Sequence, residues 1–174
     1  FGNYWDLFWV LDDQQQQLLL QLPPSTYDGD RGTWGFILAE TYYVRGDVAR
    51  SRIYADTARE GLEAVLRDTP NDGQRHAFLG LALAYTGRKA EAIREGERAV
   101  ALLPATRDDY TGPYLQHLLA RTYILVGEPE KAMDQLEPLL RMPYFLSPGW
   151  LRIDPAFDPL RKNPRFEKLV AGRS

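Results

Sequence analysis

A glycine follows each of three long apolar stretches, at positions 46, 87 and 127, which are 41 and 40 residues apart. A leucine stands eight residues before every one of these glycines, and a small residue follows the leucine. The pairs are Leu38–Ala39, Leu79–Gly80 and Leu119–Ala120. Self-similarity at a fixed period of this length is typical of arrays in which each repeat is one supersecondary unit. The pattern therefore predicts a stack of similar units.

The residues after each glycine are also in phase. Small residues stand five positions later, and a second apolar position follows twelve after the glycine, giving Ser51, Ala92, Ala132, Ala58, Ala99 and Leu139. A glycine inside a helix costs about 1 kcal/mol relative to alanine, so the interior glycines need a reason. We expect Gly80 to lie where two paired helices cross, Gly96 to face that crossing from the second helix, and Gly87 to end the first helix in a left-handed cap.

These signals divide the chain into repeats of two helices at about 33–70, 73–106 and 113–146. The second helix of the first repeat runs on to about Asp68, since "REGLEAVLRD" continues the helical pattern. Pro70 and Pro104 close helices, because proline cannot continue one.

Residues 1–32 resemble a degenerate helix pair and a connecting loop. The pair breaks near Asp12–Asp13. The run Gln14–Gln17 is expected on the wet side of a helix that buries Leu18, Leu19 and Leu22.

Residues 147–174 are expected to cap the array. Asp154, Asp158 and Asn163 each precede a proline, the pairing typical of an N-cap followed by the first helical position. A final helix is predicted over 164–170. Its apolar side chains would pack on the last repeat, because an open terminal face exposes a core surface; they are Phe166, Leu169 and Val170.

The repeat resembles the tetratricopeptide repeat, a pair of antiparallel helices. The order of "YWDLFWVLDD", "LPPSTYDGDRGTWGFILAETYYVRGD", "REGERAVALLP", "DDYTGPYLQHLLARTYILVGE" and "SPGWLRIDPAFDPLRKNPRFEKLV" is similar to the C-terminal tetratricopeptide region of bacterial proteins with an N-terminal adenylate/guanylate cyclase, serine/threonine kinase or TolB-like domain. This resemblance implies an all-α, right-handed α-solenoid with a C-terminal capping helix and an interaction or regulatory role in signalling. None of those signalling domains is present, so no catalytic residue is carried over.

Composition excludes several classes of protein. A net charge of −3 offers no basic surface for nucleic acid, and the absence of cysteine excludes disulfides and thiolate metal sites. No apolar run approaches the roughly 20 residues of a membrane span. We expect a cytoplasmic protein without membrane insertion. The chain starts at "FGNYWDLF" without methionine, and we interpret it as part of a longer protein.

The sequence offers little chemistry. Only His76 and His117 are available as imidazole ligands, and a zinc site needs three or four converging ligands, so both are expected on helix faces. Glu95 and its neighbours alternate with arginines, as on solvated helix faces. Asp154 and Asp158 are explained by capping. We therefore expect no catalytic residue, cofactor or metal.

The candidate site is a surface lined by the first helix of each repeat. Carried over from the family pattern, its residues are Phe36, Glu40, Tyr43, Gln74, Phe78, Leu81, Tyr85, Tyr114, His117 and Arg121. Related domains that grip a carboxylate use Lys, Asn and Arg at such positions. Here Arg121 is the only obvious cation, so no such clamp is expected. The residues fit an apolar groove for a protein or peptide segment, in cis or in trans.

Three alternatives stay open. In the first, several of these residues are simply core or are covered by the C-terminal tail. A second function is self-association, in which exposed Trp5, Phe8 and Trp9 complete the array of a neighbouring chain. A third, a small-ligand sensor or enzyme, has no supporting motif.

Overall fold

The protein was analysed as a computed structural model, which describes residues 5–172, with side chains from Leu7 onward. This part of the chain is all-α and contains no strand. Nine α-helices are α1 (Asp13–Gln21), α2 (Arg31–Val44), α3 (Val48–Asp68), α4 (Gly73–Tyr85), α5 (Lys89–Leu102), α6 (Thr111–Leu125), α7 (Pro129–Leu139), α8 (Pro148–Ile153) and α9 (Pro164–Val170). Three short 3-10 helices are Trp5–Val10, Pro24–Tyr27 and Pro155–Leu160.

The predicted helix ends agree closely with the structure. α3 ends at Asp68 and α9 covers 164–170, as expected. The first and third predicted repeats start two residues late, because Asp30 caps α2 by accepting from the Thr33 amide and α6 begins at Thr111. The N-terminal helical region breaks where predicted: Asp12 caps α1 through a reciprocal capping box with Gln15.

The three periodic glycines end helices in one geometry. Gly46, Gly87 and Gly127 have φ of +79°, +83° and +74°, a region that glycine enters without steric cost. At the second turn the Gly87 amide donates to the Ala84 carbonyl at 3.0 Å, and the Arg88 amide donates to Leu83 at 2.9 Å. The same two bonds recur at the other turns and define Schellman caps. The left-handed cap predicted at Gly87 is confirmed.

Close backbone approach explains the interior glycines. A Cβ on Gly80 would lie 3.0 Å from both the Ala92 carbonyl oxygen and the Gly96 nitrogen, so α4 and α5 meet where the sequence predicts. Gly96 lies at this crossing, but a Cβ there would meet Leu119 of α6 at 2.9 Å. The space that the missing Gly96 side chain leaves is therefore taken by the following helix α6, and not by α4 as the sequence analysis expected.

The first helix pair uses glycines that the repeat pattern does not indicate. A Cβ on Gly61 of α3 would lie 2.6 Å from the nitrogen of Gly32 in α2, and one on Gly35 would lie 2.8 Å from the Ala58 nitrogen. Because residue 32 meets 61 while 35 meets 58, α2 and α3 run antiparallel. The two backbones touch at two successive levels.

Consecutive pairs stack on one another. α3 packs on α4 and α5 packs on α6, while α4 also contacts both α2 and α6. The recurrent small and apolar positions all lie in the core, each less than 9% exposed: Leu38, Ala39, Ser51, Ala58, Leu79, Ala92, Ala99, Leu119, Ala120, Ala132 and Leu139. The pattern read from the sequence is thus the packing surface of the stack.

The C-terminal segment completes the last repeat. Its large side chains Leu151, Phe157, Leu160 and Phe166 are buried in one cluster with α6 and α7, and Leu169 and Val170 pack against its edge. Asp154 and Asn163 cap helices as predicted. The prediction for Asp158 is wrong, because this residue lies inside the third 3-10 helix and binds Arg161 instead.

The expected burial of α1 is partly wrong. Leu18 is 64% exposed, whereas Leu19 is buried and Leu22 is half-buried. Gln16, expected in water, is buried, and its amide donates to the Leu11 carbonyl at 3.0 Å while its oxygen accepts from Arg45. The face of α1 that meets α2 is therefore rotated from the one that its leucines indicate.

The crossing at Gly61 generates a prediction. Gly61→Ala should lower the free energy of unfolding by about 2 kcal/mol, because its methyl group would meet the backbone of α2, which cannot yield. Gly149→Ala is the matched control, since its Cβ would meet only the Ser147 hydroxyl at 3.7 Å, and it should stay within about 0.5 kcal/mol of the wild type. Urea unfolding measures both. Equal stabilities of the two variants would contradict close approach at this crossing.

A covered face and an exposed aromatic rim

The structure brings the predicted site residues together on one layer formed by α2, α4 and α6. The ring centroids of Phe36 and Phe78 are 5.2 Å apart, those of Phe78 and Tyr114 are 6.5 Å apart, and those of Tyr43 and Tyr85 are 5.1 Å apart. We call this layer the inner face; it consists of Phe36, Glu40, Tyr43, Gln74, Phe78, Leu81, Tyr85, Tyr114, His117 and Arg121.

Most of the inner face is closed to solvent. The seven residues other than Tyr43, Gln74 and Tyr114 are each no more than 9% exposed. Tyr43 is 39% exposed, Gln74 is exposed and Tyr114 is half-buried. A partner therefore finds no open groove here, and two other parts of the chain cover the face. Binding by these ten residues stays a prediction.

The C-terminal segment forms the first cover. Phe157 stacks on the His117 ring, with centroids 5.9 Å apart and planes at 14°. The Tyr144 hydroxyl lies 3.2 Å from Nδ1 of the same histidine, and Phe145 meets its ring edge-on at 5.7 Å. His117, expected on a helix face, is thus enclosed by aromatic rings.

The N-terminal segment forms the second cover. Phe8 is 7% exposed and Trp9 is half-buried, so the expectation that both are exposed is wrong; the side chain of Trp5 lies outside the described residues. Trp9 meets Trp150 edge-to-face, with centroids 5.9 Å apart, which joins the two covers. A cavity of about 40 Å³ remains between them, lined in part by Arg121, with room for at least one water molecule.

A buried ion pair lies beneath the covers. The Arg121 guanidinium of α6 donates to the Glu40 carboxylate of α2, and the two residues are 6% and 0% exposed. Burial, reinforced by the Glu40 charge, raises the pKa of Tyr85 far above its ordinary value, so the phenol stays protonated. Removing one partner of a buried pair leaves the other charge in a medium of low dielectric constant. The pair therefore requires that α2 and α6 keep their register.

Partly exposed aromatic side chains continue outward from the first cover. We call Tyr144, Phe145 and Trp150 the aromatic rim. Centroid distances are 4.4 Å between Tyr144 and Phe145 and 5.2 Å between Phe145 and Trp150. Phe145 is 48% exposed, and the other two are half-buried. The Trp150 indole donates to Asp154 at 3.0 Å, which fixes its ring. The rim is therefore a continuous aromatic surface in contact with water.

One arginine fastens the last helix to the array. Arg165 of α9 contacts Glu130, Asp134 and Glu137 of α7, each at 2.9 Å. The Arg165 guanidinium, helped by the Asn163 amide, holds the pKa of Glu130 below its usual value, and the three carboxylates raise the pKa of Arg165. The network ties α9, and with it the C-terminal cover, to the third helix pair.

His76 and Glu95 also differ from expectation. His76 is 4% exposed, and its Nδ1 lies 2.7 Å from the Glu95 carboxylate, while its Nε2 lies 3.1 Å from the Pro70 carbonyl oxygen. Both groups link α4 and α5 inside the fold instead of facing solvent. Within residues 5–172 no group of three or more His, Asp or Glu side chains is placed to hold a metal ion. None of the helices described there combines the length and apolarity needed to cross a membrane.

The aromatic rim was missed by the sequence analysis. Residues 143–150 read "PYFLSPGW", three aromatic residues between prolines and turn formers. Aromatic residues in an irregular segment are a signal for an interface, because Tyr, Trp and Phe are enriched there. The repeat pattern drew attention to helix faces, and this segment lies outside them.

Comparisons with protein-family models, curated proteins and solved structures gave no significant match for this chain. The resemblance to tetratricopeptide repeats therefore depends on residue spacing alone.

The buried ion pair can be tested by a double-mutant cycle. Glu40→Leu should lower the free energy of unfolding by about 3 kcal/mol, because the Arg121 charge stays buried without this carboxylate. In the Glu40→Leu background, Arg121→Met should lower the free energy of unfolding by less than it does in the wild type. The coupling free energy between the two substitutions should be about 1 kcal/mol or more. Urea unfolding of the four proteins measures the coupling. The same cycle on the exposed pair Arg88–Glu91 serves as control and should give much less; additive losses at Glu40 and Arg121 would exclude the pair.

The Arg165 network predicts a dependence on pH. Because the pKa of Glu130 is lowered in the folded protein, the stabilisation is complete above its usual value of 4.5 and is lost as pH falls through the lowered value. Arg165→Met should therefore lower the melting temperature at pH 7, and the difference from the wild type should shrink towards about pH 3. Arg94→Met is the control, as its nearest carboxylate oxygen is 3.6 Å away. A difference for Arg165→Met that acid leaves unchanged would show that charge is not the cause.

Proposed function

We propose that this chain is a non-catalytic protein-interaction module whose docking surface is the aromatic rim. The observation that carries the proposal is the continuous contact of Tyr144, Phe145 and Trp150 with Phe145 half in water. Aromatic side chains dominate the energetics of protein interfaces, and rigid ones bind with a small entropy loss. A partner segment that covers Phe145 would bury apolar area without requiring the protein to refold.

The inner face supports this function indirectly. Its buried residues hold the rim in place, because His117 contacts both Tyr144 and Phe145. The partner would meet the inner face only at its open margin, where Tyr114 approaches the His117 ring at 6.4 Å. The proposed docking surface is therefore not the groove expected on the helices but the segment that fills this groove.

The wider assignment belongs to the same proposal. Stacked helix pairs, each with a periodic glycine at the end of its first helix, support an α-solenoid of tetratricopeptide-like repeats, and the family resemblance implies that it is right-handed. In such arrays each repeat contacts its neighbours and the stack presents an extended binding surface. By its resemblance, the module would serve as the regulatory part of a cytoplasmic bacterial signalling protein, with a protein segment as partner and with no nucleic acid, membrane insertion or cofactor.

Site-specific photo-crosslinking tests the docking surface. A benzoylphenylalanine in place of Phe145 should give a discrete crosslinked product in cells, because the ring reaches into the interface. The same group in place of Tyr110, which is 89% exposed on the loop before α6, is the matched control and should give none.

The partner identified by crosslinking is then purified, and its affinity for this protein is measured. Phe145→Ala should weaken binding at least tenfold, as expected for truncating an aromatic anchor at an interface. Ile153→Ala removes an apolar side chain that is 63% exposed, more than Phe145, and lies outside the rim, and it should leave binding unchanged. Equal binding by both variants would remove the rim from consideration.

A further inference from the structure

We infer that residues 5–27 form an exchangeable segment, which a second copy of this chain can supply to the inner face. In the exchanged dimer Phe8 and Trp9 of one copy would seat against the inner face of the other. Every contact of the segment would be the one described above, so complementarity is already present within the single chain. Exchange of an identical element is a low-cost route to a dimer. The inference is independent of a partner at the aromatic rim.

The segment has its own small core. Phe8, Leu19 and Tyr27 cluster with Ile37 and Leu38 of α2, apart from the two clusters that hold the helix pairs together. Its side-chain polar contacts with the rest of the described chain are three: Arg45 binds Asp13 at 2.9 Å and Gln16 at 3.0 Å, and the Trp34 indole donates to the Leu22 carbonyl at 2.8 Å. The segment can therefore leave its seat without opening the core of the stack.

Two polar groups of the segment are buried without hydrogen bonds where it packs on the rest of the described chain. The Trp9 indole nitrogen and the Tyr27 hydroxyl are buried, and neither has a hydrogen-bond partner among the described residues. A buried donor without a partner carries its full desolvation cost, whereas release returns it to water. Opening the segment is thus easier than its apolar contacts alone would suggest, which provides a route to exchange.

The connection to α2 stores the strain that exchange would release. Asp28 has φ of +54°, and it is the single non-glycine residue of the described chain with positive φ. Gly29 follows at +79°, and the Asp30 amide donates back to the Tyr27 carbonyl at 2.8 Å. L-residues enter this region at a cost, and short hinge loops under strain favour exchange. An extended hinge at 28–29 would free both residues.

Mass action sets the range of protein concentration in which the exchanged dimer forms. A short linker holds the segment near its own binding surface at an effective concentration on the order of 1 mM, so the closed monomer dominates below this protein concentration. Raising the strain of the closed hinge should shift this balance, because two hinges relax in each dimer. The hinge sequence is therefore the variable to change.

Gly29→Val is the direct test. No atom lies within 4 Å of a Cβ built on Gly29, so the substitution strains the closed backbone without creating a clash. We expect the dimer association constant to rise roughly 25-fold, about fivefold for each of the two hinges. Gly46→Val is the matched control: Gly46 also has φ of +79° and open space, but it ends α2 and does not connect the segment. Analytical ultracentrifugation from micromolar to about 1 mM measures both.

The identity of any dimer is decided by labelling. In mixtures of carbon-13-labelled and unlabelled chains, isotope-filtered spectra should show Trp9–Trp150 contacts between different chains, since their rings are 5.9 Å apart. A Gly29→Val protein that associates no more than Gly46→Val overturns the inference, as does a dimer whose Trp9–Trp150 contacts all stay within one chain. If Gly29→Val fails to fold, wild type at about 1 mM decides, and a monomer there overturns it.

Discussion

The architecture depends on how closely two helix backbones approach within each pair. At the Gly80 crossing the carbonyl of Ala92 and the backbone of Gly96 occupy the space of a side chain. In the first two pairs no long side chain separates the partners at these crossings, so these pairs are thin, and α4 contacts both α2 and α6. The common layer of side chains on these three helices follows from that approach. The free energy that the glycines cost through their low helix propensity is offset by the packing of the two backbones.

A layer of this kind cannot remain bare. Phe36, Phe78 and Leu81 give the layer a large apolar area, and the attraction between Glu40 and Arg121 is stronger where water is excluded around them. The pair joins residues that are 81 positions apart in the sequence, so it can form only when the first and third helix pairs are correctly stacked. The chain meets both demands with its own two ends, which touch through Trp9 and Trp150.

What the sequence predicts depends on how far each determinant reaches. The turn glycines and the ends of α3 and α9 were predictable, because a positive φ, a cap or a proline acts on its own residues. The burial of Gln16 and His76 was not, since it depends on Arg45 and Glu95, which belong to other helices. The covers were the hardest feature to predict from the sequence. Helix periodicity places Phe36 or Tyr85 on one face of a helix and contains no information on what lies above that face.

The two covers differ in the free energy that holds them, and this difference assigns their roles. Phe157, Leu160 and Phe166 of the C-terminal segment are at most 2% exposed. At about 2 kcal/mol or more for each buried side chain, exposing all three would cost an amount comparable to the stability of a whole domain. That cover is thus a permanent part of the fold, and a partner must dock on its outer side, at Phe145. The N-terminal segment also buries three large side chains, Phe8, Leu19 and Tyr27, but less completely, at 7–8% exposed, and in a separate cluster on α2, so this cover can exchange without opening the other two clusters of the stack.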